Sequence, residues 1–204
     1  KRLNTGGELL SDQEIRNCTI RLLNSDALTF IEDCSQNPDY REVIKKIGDE
    51  KIRKKEDQEL VLRFFALKND IEHYKFPVAE YLTNYLEGIT TQEKPFDYIK
   101  EKEIFDKTFK IINLNLGDSA FSSITKAKNI KNDFVTYLFD GISIAIANLV
   151  DRIAVDKKNV KIEEKVYDIK IGSELQSYKT GTMSSLNKRI ELFKEGVENV
   201  IDER

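Results

Sequence analysis

Apolar residues recur at three- and four-residue spacing along almost the whole 204-residue chain, and that period restricts it to an all-α architecture. From Asp12 to Asn24 the stripe is Ile15, Cys18 and Leu22, with Thr19 and Leu23. A short helix with Leu28, Ile31 and Cys34 follows. Asn37-Pro38 breaks the pattern, and Tyr40, Val43, Ile44 and Ile47 resume it up to Gly48. Residues Glu56 to Asn69 carry Leu60, Val61, Phe64, Phe65 and Leu67 on more than one side, which predicts a central helix. Phe76-Pro77 opens a helix with Val78, Tyr81, Leu82, Tyr85 and Leu86 that should end at Gly88; Phe96 to Asn113 places Ile99, Phe105, Phe109 and Ile112 at helical spacing. Asp133 to Ile153 is the most apolar segment, and Asp140, Ser143 and Asn148 within it point to a buried core helix rather than a membrane span. Val166 to Ile171 alternates like a strand but lies between helical patterns, so it reads as helix. Thr180-Gly181-Thr182-Met183-Ser184-Ser185 reads as the N-cap of a last helix carrying Leu186, Ile190, Phe193, Val197 and Val200. The expectation is a bundle of about eight to ten short and medium helices in two helical subdomains, 12–88 and 96–204, joined by a polar, proline-bounded linker at 89–95.

Charge narrows the function classes. With 33 Lys and Arg against 36 Asp and Glu the net charge is −3, so the chain has no global field for nucleic acid, although a local basic face remains open. The densest basic cluster, Lys51, Arg53, Lys54 and Lys55, is followed at once by Glu56-Asp57-Gln58-Glu59, acids that suit the first turn of the next helix. It reads as a solvated face, with phosphate or DNA contact as the competing reading; Lys126, Lys128 and Lys131 form a second basic edge open to the same contact. Glu59 and Arg63 are spaced for an i,i+4 ion pair. Cys18 and Cys34 lack paired spacing and read as reduced, half-buried thiols of a cytoplasmic protein, and the one histidine, His73, reads as a surface loop residue. No Cys/His cluster suggests a metal site, and no apolar run is long enough to span a membrane.

The strongest local motif lies near the N-terminus. Ser11-Asp12-Gln13-Glu14 is a capping box, which starts a helix at about Asp12. Upstream, Asn4-Thr5-Gly6-Gly7 reads either as a simple tight turn or, with Arg2 beside it, as a nest of backbone amides that cradles an anion. No Lys-Ser/Thr pair follows the glycines, so the motif is not a P-loop.

Four strings together resemble a known family. They are Arg2-Leu3-Asn4-Thr5-Gly6-Gly7 with Leu10-Ser11 and Glu14-Ile15-Arg16-Asn17; Asp57 to Ala66; Tyr81-Leu82-Thr83-Asn84-Tyr85; and Thr182 to Ile190. They are similar to the helical half of the N-terminal domain of GmrSD-type, modification-dependent restriction enzymes, a domain-of-unknown-function family numbered two hundred and sixty-two. The resemblance implies a ParB- and sulfiredoxin-like domain upstream, of which residues 1–11 are the tail. It implies GTP or ATP with Mg bound in the full-length protein, and DNA and an HNH-type nuclease domain as partners. Arg2, Asn4, Thr5, Gly6 and Gly7 would then close one side of the triphosphate site. Asn4, Leu10 and Glu14 also match the spacing of ParB's phosphate-contacting box, except that Gly7 stands where ParB has an arginine. The chain contains neither the Asp-Gly-Gln-Gln-Arg string of the family's triphosphatase motif nor a His-Asn-His cluster, so the resemblance implies a portion that is non-catalytic by itself, with no cofactor of its own. The competing reading is an all-α interaction module, homo-oligomeric or docked on another protein, without nucleotide or DNA contact.

Overall fold

The computed structural model describes residues 9–21 and 25–202, and within them the protein is an all-α bundle. The helices are α1 (Asp12–Ile20), α2 (Asp26–Ser35), α3 (Pro38–Ile44), α4 (Asp49–Arg53), α5 (Glu56–Asp70), α6 (Val78–Thr90), α7 (Tyr98–Leu116), α8 (Thr136–Asn148), α9 (Val160–Ile171), α10 (Ser173–Gln176) and α11 (Met183–Asp202). The only β pairing among the described residues is the isolated bridge between Ile124 and Ile130.

The centre of the bundle follows from composition. Helix α8 is buried on every side from Leu138 to Ala147, and α5, α7 and α11 cover it. Such a helix cannot face water, so its neighbours must wrap it. Helix α3 lies along α7, α9 along α11, and α2 and α6 along α5. Aromatic rings connect the layers: Phe64 and Phe65 of α5 meet Phe105 at 5.4 and 5.6 Å, and Phe109 of α7 meets Phe139 of α8 at 6.1 Å. Helices of 12–88 and of 96–204 therefore contribute to one hydrophobic cluster.

Side-chain polar groups set several boundaries where the apolar pattern places them differently. Helix α6 continues through Thr90, because Ile89 and Thr90 are buried and the Thr90 hydroxyl donates to the Leu86 carbonyl at 2.7 Å. The expected linker, 89–95, is anchored at Lys94, whose backbone N–H donates to Gly88 O and whose ammonium pairs with Asp70 at 2.9 Å, and it is followed by Phe96, packed on Phe30 and Phe65. Asp97 caps α7 by accepting from the Ile99 and Lys100 amides. Helix α8 starts later than expected, since the Asp133 carboxylate takes the Ser123 N–H and hydroxyl and Val135 N–H goes to Phe121 O. Val166 to Ile171 is helical, and Thr182 caps α11 by accepting from Ser185 N–H. Of the two thiols, Cys34 is fully buried and Cys18 is exposed rather than half-buried. No helix of the described residues is long and apolar enough to cross a membrane.

Candidate functional site

Several polar groups break the apolar interior, and two clusters of them are centred on buried arginines. The first lies where α1 meets α5 and α6. The Ser11 hydroxyl accepts from Glu14 N–H at 3.2 Å, the Glu14 carboxylate accepts from Ser11 N–H at 2.7 Å, and the same hydroxyl donates to Lys54 O at 2.7 Å. The capping box thus fixes both the start of α1 and its place beside α4. One turn later Arg16, 4 % exposed, donates to Gln13 Oε1 at 2.6 Å, Glu59 Oε2 at 2.9 Å and Thr83 Oγ1 at 3.2 Å. Asn17 adds a bond to Gln58 Oε1 at 2.6 Å. Burial draws the Arg16 pKa down, against the pull of Glu59 and Asp12; burial likewise raises Glu59, against Arg16 and Arg63. Arg16 Nη2 is buried with no hydrogen-bond partner among the described residues. Beside it, between α1 and α6, runs a groove of about 280 Å³ lined by Ile15, Thr19, Ile20, Ala79 and Leu86, with Asp12, Glu80 and Glu87 at its edge.

The second cluster lies between α5, α8 and α11. Arg63 grips Asp140 with two bonds, at 2.5 and 2.7 Å, both groups being nearly excluded from water. Burial works against the Arg63 charge, but Asp140 outweighs it and holds the guanidinium above its ordinary range. The expected Glu59–Arg63 helix pair is replaced: Glu59 goes to Arg16, and Arg63 turns inward to Asp140. Arg189, 2 % exposed, donates to the Tyr178 and Thr180 carbonyls, and burial lowers its pKa against the pull of Asp140. Tyr74 donates to Gly181 O at 3.0 Å, which ties the loop before α11 to the segment between α5 and α6.

The expected nucleotide-contacting residues Arg2, Asn4, Thr5, Gly6 and Gly7 lie outside the described residues. In the 51–55 cluster, Lys51 pairs with Glu56 at 3.0 Å and Lys54 with Glu50 at 3.3 Å, while Arg53 and Lys55 are exposed. Lys126 and Lys128 are exposed on the loop that the Ile124–Ile130 bridge closes and Lys131 is exposed just after it, far from the 51–55 cluster in sequence. His73 is exposed and bonded to Asp70 at 2.7 Å. Among the described residues no group of three or more His, Cys, Asp and Glu side chains is placed to hold a metal ion.

Sequence reasoning missed Arg63–Asp140, Arg189 and Lys170. A lone acid inside the most apolar segment, Asp140, is the signal that could have revealed the first, since a buried carboxylate requires a cation. Lys170 shows no such signal: it donates to Ser119 O at 2.9 Å and Ala120 O at 2.6 Å, and burial, with Lys46 nearby, pushes it down to about 7. Comparison with protein-family models, with curated proteins and with solved structures finds no match to this chain.

Proposed function

We propose that the chain is the helical portion of a nucleotide-dependent DNA-restriction or phage-defence protein of the GmrSD type, working with GTP or ATP in the cytoplasm and non-catalytic by itself. The observation that carries this reading is the Arg16 junction. Three of the four strings that resemble the family are far apart in sequence, yet Arg16 of the first bonds Glu59 of the second and Thr83 of the third. Strings that meet at one guanidinium behave as one unit, and that unit begins at the capped start of α1, shortly after Gly7. In this reading Arg2, Asn4, Thr5, Gly6 and Gly7 aim donors at phosphate oxygens, Mg and the triphosphatase motif come from the upstream ParB-like domain, and the helices relay nucleotide state to DNA or an HNH-type nuclease. Titration of the protein containing that upstream domain with labelled GTP and ATP tests it. Replacing Asn4 and Gly6 with alanine should weaken binding by about tenfold or more, equivalent to about 1.4 kcal/mol. Unchanged affinity and hydrolysis would sink the proposal.

A second reading, the interaction module, is favoured by one feature. Leu9 is 84 % exposed and Leu10 is also exposed beside Glu14 and α4, while the exposed Ile15 lines the α1–α6 groove. Sedimentation at several concentrations addresses it; a strict monomer that docks no partner protein counts against it.

A further inference from the structure

Every Phe and Tyr of the chain is buried or half-buried except Phe76, which leaves 76 % of its surface in water. It precedes α6 and lies against the bare backbone of Gly181, where a Cβ would stand 3.4 Å from the Phe76 ring. The Tyr74 bond to Gly181 O holds the two loops together. On the Gly181 side, Tyr137 and Tyr178 present half-buried rings, each with a lysine over it: Lys179 Nζ is 5.6 Å from the Tyr137 centroid and Lys188 Nζ 5.2 Å from that of Tyr178. Neither lysine has a carboxylate partner among the described residues, unlike Lys51 and Lys54 of the denser basic cluster.

Charge below the surface has the same sign. Arg189 lies beneath the loop, bonded to the Tyr178 and Thr180 carbonyls, and its guanidinium is 5.9 Å from the Tyr137 centroid. The one acid of that cluster, Asp140, is already gripped by Arg63. The patch therefore combines uncompensated positive charge with aromatic faces. Thr180 and Thr182, both exposed, add hydroxyls beside Gly181.

We propose that this surface, formed by Phe76, Tyr137, Tyr178, Lys179 and Lys188 around Gly181, binds single-stranded nucleic acid. An unpaired base stacks on the open Phe76 face, and the lysines take the adjoining phosphates; stacking is tolerant of sequence because every base has a π-face. A duplex keeps its bases stacked on one another and offers Phe76 none, so the surface selects the single strand. An acidic peptide satisfies the lysines but leaves the ring exposed. The surface requires neither the residues before Leu9 nor a nucleotide, so it stands or falls apart from the function proposed above.

The test is fluorescence anisotropy of a labelled oligothymidine of about twelve nucleotides and a matched duplex, titrated with the 204-residue chain at about 50 and about 200 mM salt. The single strand should bind more tightly than the duplex. Phe76→Ala should weaken it by about fivefold or more, and Phe76→Trp should retain binding. Lys179→Glu with Lys188→Glu should weaken binding and reduce the log–log salt slope by about 1.4. These side chains are exposed or half-buried, and far-UV circular dichroism checks that each variant folds. Absence of binding, equal affinity for duplex, full competition by polyglutamate, or an undiminished affinity in Phe76→Ala each overturns the proposal. So does loss of binding only when Lys126, Lys128 and Lys131 are reversed instead.

Discussion

At the scale of single residues, the interior is defined by a few charges that burial makes costly to leave unpaired. Asp140 is held by two bonds from Arg63 in a site almost closed to water. Removing one partner of such a pair strands the other, so Asp140→Ala should cost about 3–5 kcal/mol in urea unfolding. A loss under about 1 kcal/mol would mean that Arg63 finds water instead. Lys170 gives a pH signature. Its folded pKa, about 7, lies below that of a free lysine, so the unfolded chain binds more protons between about 7 and about 10. Stability from this group is therefore lowest below pH 7 and rises through that window; Lys46 and Asp133 are the charges that bear on it. Urea midpoints measured across the window should rise with pH, and the rise should shrink in Lys170→Met. A flat profile would show that the ammonium is charged in the fold, satisfied by the Ser119 and Ala120 carbonyls.

At the scale of helices, caps and close approaches decide position. Ser11 both caps α1 and donates to Lys54 O, so Ser11→Ala should cost about 1 kcal/mol from the cap. Amide hydrogen exchange should show the loss concentrated in α1, and equal acceleration throughout the bundle would argue against a local role. Gly141 allows α8 to approach α11: a Cβ there would stand 2.9 Å from the buried ring of Phe193. A core phenylalanine has no room to yield, so Gly141→Ala, although better for an isolated helix, should destabilise by about 1–3 kcal/mol, read from the thermal midpoint. A stabilised variant would show that the two helices can separate at little cost.

At the scale of the molecule, the ring contacts from α5 through α7 to α8 make the helices of 12–88 and 96–204 share one interior. A shared core unfolds as one unit, so far-UV circular dichroism and tyrosine fluorescence, in a chain with 8 Tyr and no Trp, should trace one coincident urea transition. Two separated transitions would mean that the halves are held mainly by the chain between them.

Much of the helical architecture was legible in the order of residues, because a 3.6-residue apolar period and a side-chain cap are local properties. The Ser11 and Thr182 caps, the apolar burial of α5 on several sides and the burial of α8 all follow from neighbours a few residues apart. The sequence determined the class of fold and the position of most of its helices, though not the end of α6, the start of α8 or the short α4 and α10. Tertiary structure alone decided the partners of the charges: Glu59 left Arg63 for Arg16, Arg63 turned to an aspartate far along the chain, and Phe76 came to rest beside Gly181. Helix formation is governed by energies within one turn, whereas a buried charge or an exposed ring is placed by what the packed helices bring next to it.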